Sequence, residues 1–414
     1  MDAIDRVING QLSRRTFIHG AGLAGVAAFL AACAPGGSAS AIPTTASIAP
    51  GATPGPTAAP TEKTVTGPLK FANWTAYIDL VGAASDAGAY SPGSSPTIEA
   101  FKQKYSVEVD FEEKIDDNNS FMATIKPALV SGLATGWDLI VLTDWMAAKV
   151  IAAGWAEKLD QENVPNCVAN LRDPLKNQVW DPTNDYHYPW QSGMTGIGYN
   201  TTAYQENNLA APTKLADLWK VPPQKLTFLS EARDTFGLGL LKLGINADTA
   251  TVTDADLQKV HDDIKPLVDG GLRFTGNSYL QEFGQKKVWA AFVWSGDLAS
   301  SAGPDDVFVF PEEGTMIWTD NMLIPKGAAN KYTAELMMNF VYDPEIAANI
   351  ADWVYYVSPV KGIGDLIKAM DSGAEANPLL FPPDDIVAKQ RNFQFLSDEL
   401  EAKMNDLFAD LGGV

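Results

Sequence analysis

Aromatic residues and carboxylates recur where five short apolar runs of this chain end. Trp74-Thr75-Ala76-Tyr77 closes one such run and Thr143-Asp144-Trp145 another. Ser230-Glu231-Ala232-Arg233-Asp234, Trp294-Ser295-Gly296-Asp297 and Trp318-Thr319-Asp320 follow three more. An organic cation suits that mixture. Indole and phenol faces attract ammonium groups, and carboxylates give charge-assisted hydrogen bonds. Each member also has a plainer role: strand-end aromatics pack lobes together, and an acid after a strand commonly caps the next helix. Ser230 and Glu231 both fit such a cap, and Arg233 fits as a counter-ion for Asp234. Repetition at five strand ends favours the binding reading.

Other chemistries find less support. Gly237-Leu238-Gly239 falls inside a helical pattern, with Lys242 where a dinucleotide fingerprint needs its third glycine. The sequence has no phosphate-binding loop, no nucleophile elbow and no paired metal-ligand histidines. His19, His187 and His261 are scattered, so neither a His/Cys metal cluster nor a cofactor is expected. Carboxylate pairs abound in so acidic a chain, which leaves glycosidase-type hydrolysis open without favouring it.

The elements that would carry these residues alternate. Leu69–Trp74 reads as a strand, 95–105 as an amphipathic helix, 107–111 as a strand, 121–131 as a helix, 138–142 as a doubly buried strand and 147–154 as a helix. This alternation predicts a parallel, doubly wound sheet. In such sheets ligands bind beyond the carboxyl ends of the strands, which is where the aromatic and acidic residues stand. The second half gives strands at 226–229, 288–294, 307–310 and 322–325, with helices at 234–243 and 332–342. Two α/β lobes joined by more than one crossing fit the 414 residues better than one long sheet.

The front of the chain has a different character. Ser13-Arg14-Arg15-Thr16-Phe17 precedes a short apolar run, too short for a comfortable membrane span, that ends in Leu30-Ala31-Ala32-Cys33. The twin arginine points to export of a folded protein, and the closing Cys33 resembles a lipobox. From 34 to about 68 the chain is mostly Pro, Ala, Thr, Ser and Gly, a composition that stays extended and unpacked. If Cys33 is acylated, Cys167 has no intrachain partner and no disulfide is expected. The net charge of −21 disfavours nucleic acid and favours cations.

From Leu69 to about Leu407 the chain resembles the polyamine (spermidine/putrescine) binding proteins of bacterial ABC transporters, which have the periplasmic-binding-protein type II fold. The motifs are Phe71-Ala72-Asn73-Trp74-Thr75-Ala76-Tyr77, Trp137-Asp138-Leu139-Ile140-Val141, and Tyr188-Pro189-Trp190 leading into Thr195-Gly196-Ile197-Gly198-Tyr199-Asn200. They continue in Leu215-Ala216-Asp217-Leu218-Trp219, Glu231-Ala232-Arg233-Asp234, Val293-Trp294-Ser295-Gly296 and 318–325.

The resemblance implies a two-lobed, monomeric, non-enzymatic solute-binding protein with transporter permeases as partners, and the lipobox-like leader adds a lipid on Cys33 at an extracytoplasmic membrane surface. The leader motif and composition give a signal peptide at 1–32 and a tether at 33–67, and the resemblance implies first-lobe segments at 68–195 and 319–362 and second-lobe segments at 196–318 and 363–414. By matching position, Trp74, Thr75 and Tyr77 form one wall, and Thr143 and Trp145 replace a hydroxyl residue and a tyrosine. Glu231 and Asp234 supply an acidic pair, Trp294 and Trp318 enclose the ligand chain, and Asp320 meets an amine, with Tyr356 and Gln394 as looser matches. Departures are an insertion at 82–95, the bulk of Trp145 and the extra acid Asp144. They leave the length of the amine open, along with another organic or amino-acid-like cation as cargo, a sensor as the partner, and an exported hydrolase on the same scaffold.

Overall fold

The computed structural model describes residues 63–81, 93–247, 251–301, 303–370, 373–392 and 396–413. The leader, Cys33, the tether up to residue 62, positions 82–92 of the insertion and Gln394 lie outside the described residues.

The first half alternates as its periodicity predicts: β1 (Leu69–Trp74), α1 (Pro96–Tyr105), β2 (Val109–Ile115), α2 (Asn118–Val130), β3 (Leu139–Thr143) and α3 (Asp144–Ala152). Strand β1 lies between β2 and β3, parallel to both. Leu139, Ile140, Val141 and Leu142 in β3 are fully buried, as expected for a strand covered on both faces. Helix α1 starts at Ser95, whose hydroxyl accepts the Ile98 N–H, and carries Pro96 in its first turn. Helix α3 begins directly after β3, earlier than its apolar pattern suggests, so Asp144 and Trp145 sit in its first turn.

The next element was not expected. β4 (His187–Asn200) is a 14-residue strand containing Pro189, Gly193, Gly196 and Gly198, residues that strands otherwise avoid. Its start pairs with β9 (Thr315–Leu323), which pairs in turn with β3, all antiparallel. Its end pairs antiparallel with β7 (Ala290–Trp294), beyond which β5 (Leu226–Leu229) and β6 (Arg273–Thr275) continue in parallel. The sheet order is β2-β1-β3-β9-β4-β7-β5-β6, with β8 (Asp306–Val309) on β4 and β10 (Gln390–Arg391) on β9. Each lobe therefore has the predicted parallel strands, while antiparallel β4 and β9 run from one lobe to the other, their register shifting once between Pro189 and Gln191. After helices Lys331–Val341 and Pro344–Val354, Val357 and Ser192 exchange backbone hydrogen bonds of 2.9 Å, and Val360 then bridges Leu171.

The second lobe is covered by α4 (Ala232–Lys242), α5 (Asp254–Asp269) and the terminal helix α6 (Asp398–Asp410), which packs on both. Phe228 and Phe292 stack at its centre, 3.8 Å between centroids; burying each such ring contributes about 1.5–3 kcal/mol. The first lobe holds the incoming chain ahead of Pro68. Thr333 accepts the Thr66 N–H at 3.0 Å and returns its hydroxyl to the Thr66 carbonyl at 2.7 Å. Lys63 pairs with Asp160 at 3.2 Å on the same lobe. The base of the insertion is pinned by the Val81 N–H on the Ser94 carbonyl and the Gly93 N–H on the Val81 carbonyl.

Candidate functional site

Strand ends from both lobes meet at one cavity of about 60 Å³, room for a few waters. Trp74, Thr75 and Tyr77 after β1, and Thr143 and Trp145 after β3, line it from the first lobe. Glu231 and Asp234 line it from the start of α4, Trp294 from the end of β7, and Trp318 and Asp320 from β9. Tyr356 enters from the segment after helix Pro344–Val354. All the expected site residues that are described come together here; Gln394 lies outside the described residues.

Two of them occupy helix N-cap positions without capping. Thr143 precedes α3 and Glu231 precedes α4, and neither side chain accepts a cap hydrogen bond. The Thr143 hydroxyl instead donates to Asp320 Oδ1 at 2.8 Å. The Glu231 carboxylate instead accepts from Asn118 Nδ2 at 3.3 Å. Asn118 is fully buried; it also donates to Thr143 Oγ1 and accepts the Thr143 N–H, joining the lobes beside the cavity. Glu231 thus lines the cavity instead of capping α4.

Asp234 is held on both oxygens: the Thr195 hydroxyl donates to Oδ1 at 2.7 Å and the Trp294 indole N–H to Oδ2 at 2.8 Å. The Trp318 indole donates to Thr195 Oγ1 at 3.1 Å, so both tryptophans are aimed by one acid. Trp74 donates its indole N–H to the Val141 carbonyl and meets Trp294 edge-on across the lobes at 6.3 Å.

The acids stand in a low-dielectric place. Burial pushes Asp320 up to about 7 and Asp234 up to about 6. Burial, then the charges of Asp117 and Asp234, hold Glu231 well above the usual carboxylate range. Carboxylates behave this way when taken out of water beside one another. Among the described residues, no three His, Cys, Asp or Glu side chains stand close enough together to hold a metal ion. The acids are spread around an aromatic cavity rather than gathered on one point.

Arg233 does not neutralise Asp234. Its guanidinium lies 4.1 Å above the Trp145 ring and donates to Glu401 of α6 at 2.5 Å. Lys149 of α3 reaches the same carboxylate from the first lobe. One face of Trp145 is therefore taken by a resident cation.

The residue patterns put Asp297 at a strand end without counting it among the site residues, and missed other neighbours altogether. Asp297, buried, lines the cavity and accepts from the hydroxyls of Tyr356 at 3.0 Å and Tyr279 at 3.1 Å and from the Asn277 amide. A signal was present: Asp297 follows Trp294 by the same three positions that separate Asp234 from Glu231. Asn118, in Asp117-Asn118-Asn119, reads only as a turn. Met316 and Ile317 line the cavity from the part of β9 that was not expected to be a strand.

Comparison with known proteins agrees with this architecture. The chain is 29% identical over 296 residues to a spermidine/putrescine-binding periplasmic protein of Salmonella typhimurium, covering 70% of this chain and 77% of that one. It is 27% identical over 349 residues to a putrescine-binding periplasmic protein of Escherichia coli, covering 78% and 85%. A solved structure described as a putative spermidine/putrescine ABC transporter from Listeria monocytogenes superposes with a TM-score of 0.69 at 23% identity, covering 83% of this chain and 98% of that one. Such neighbours share the two-lobed type II periplasmic-binding-protein fold. Residues 97–381 match the family model of the bacterial extracellular solute-binding proteins, and the chain belongs to that family.

Proposed function

We propose that this protein captures a polyamine of putrescine or spermidine type and presents it to an ABC importer, without catalysing a reaction. The observation that carries this reading is the row of buried acids in an aromatic cavity. Like charge links Glu231 to Asp234 and Asp234 to Asp320, and Asp297 acts on Tyr77, as Asp320 does. A single ion would satisfy one point of such a row, whereas an alkyl chain with separated ammonium groups would satisfy several. Trp74, Trp294, Trp318, Tyr77 and Tyr356 supply the faces for its methylenes, Thr75 and Thr143 polar contacts, and the four acids the counter-charges.

Capture is by closure of the two lobes. A ligand touching both walls favours the closed form by its differential affinity, and the first lobe (68–195 with 319–362) and the second (196–318 with 363–414) are its moving parts. The Arg14-Arg15 leader and Cys33 support export and a lipid anchor at an extracytoplasmic membrane surface, with residues 33–67 as the arm. The names of the curated relatives favour polyamine cargo over other organic cations. Titration calorimetry with putrescine, spermidine and a neutral diol of matching length tests the cargo: binding of an amine and not the diol is expected, and equal binding of the diol removes the reading. Replacing Cys33 with Ser should release the protein from membranes; persistent association would mean another anchor.

A further inference from the structure

We infer that Gly193 and Gly296 are positioning residues for the site: together they form the slot that fixes the Tyr356 ring and, through it, Asp297. The inference rests on the ligand site proposed above, but its geometry does not depend on which solute binds.

A Cβ added at Gly296 would lie 2.6 Å from Tyr356 Cγ, Cδ2 and Cε2. One added at Gly193 would lie 2.9 Å from Tyr356 Cδ1 and 2.6 Å from Trp318 Cη2. The ring is thus held between two residues that lack a side chain, one on the passing strand β4 and one in the first turn of the helix Ser295–Ser301 that follows β7. Neither glycine has a positive φ, so the backbone accepts alanine and only the rings exclude it. Contacts this short force a buried ring to move. The ring has little freedom, because its hydroxyl donates to Asp297 Oδ1 at 3.0 Å and accepts the Asp297 N–H at 3.2 Å. Tyr77 packs edge-on against it at 5.1 Å, and Trp318 lies tilted against it at 5.3 Å. A shift of Tyr356 therefore moves an acid and two aromatic walls together.

Gly198 provides the control. It lies on the same strand, equally crowded by Val293 Cγ1 at 2.8 Å and Leu298 Cδ2 at 3.0 Å, but it does not line the cavity. Gly193→Ala and Gly296→Ala are expected to weaken putrescine or spermidine binding about tenfold or more, while Gly198→Ala lowers the melting temperature and leaves affinity within about twofold. In a Tyr356→Ala background, where the ring is gone and the fold is relieved of the clash, Gly296→Ala should cost no further affinity. Unchanged affinity in both site variants, or full additivity in the cycle, would overturn the inference. If the wild-type protein binds neither amine, the cargo proposal falls and the slot is read without ligand. With 5-fluorotryptophan incorporated, the Trp318 fluorine resonance moves in Gly193→Ala and stays in Gly198→Ala; no movement in either overturns the slot.

Discussion

Buried carboxylates stand in two neighbouring places in this molecule, and they are treated in opposite ways. Glu401, on the terminal helix, meets Arg233 from its own lobe and Lys149 from the other. Asp234 and Asp320, in the adjoining cavity, have hydroxyl and indole donors but no ion pair with Lys, Arg or His among the described residues. The first arrangement offsets the desolvation of the acid within the protein. The second leaves charge to be offset from outside, which is why burial raises both cavity acids to about 6 and 7. One region is completed by folding, and the other is left for the proposed ligand to complete.

The comparison can be broken from either side. Glu401→Gln removes the acid that two cations share and leaves Arg233 buried, so a loss of about 3–5 kcal/mol of stability is expected in denaturant melts. A loss under about 1 kcal/mol would mean that the cluster is no better satisfied than the cavity. Asp320→Asn should do the reverse: ligand-free stability rises, while amine binding weakens by about 1.5–3 kcal/mol by calorimetry. Unchanged affinity would remove Asp320 from the site.

Acidity sharpens the contrast. Asp320 and Asp234 titrate near 7 and 6 in the folded chain, against an ordinary 3.8, so the folded state binds more protons than the unfolded one between these values. Stability of the ligand-free protein should therefore rise as pH falls from 8 through 7 and 6, and decline as pH climbs back. Amine affinity should move the opposite way, falling roughly tenfold by pH 5.5, about 1.4 kcal/mol. Melts and titrations in one buffer series check both signs, and parallel movement would refute the idea that the same acids control both. The smallest effect belongs to Lys149→Ala. Lys149 is partly exposed, so its loss should cost about 1 kcal/mol or less and show mainly as salt sensitivity of lobe closure in small-angle scattering.

Much of this was legible in the residue order because strand ends and site coincide. The apolar run 139–142 marks β3, and the residues directly after it line the cavity. β4 was hidden because its glycines and proline argue against a strand locally, and only tertiary pairing on both sides makes it one. The same glycines leave room for Trp318, Tyr356 and Phe308, so the feature that concealed the element is part of how the rings are seated. Glu231 was ambiguous for a different reason. N-cap and ligand acids occupy the same position in sequence, and only the direction of the side chain separates them. Glu401 could not be assigned a partner at all, since Arg233 lies 168 residues away.

The clasp of Thr66 on Thr333 joins the start of the described chain to the lobe that carries β1. Whatever precedes Lys63 is attached to the lobe built on β1, β2 and β3. If that leading segment is fastened to a surface, the lobe bearing α4, α5 and the terminal helix is the part that swings, and its arc, not its partner's, is what a receiving complex would have to accommodate.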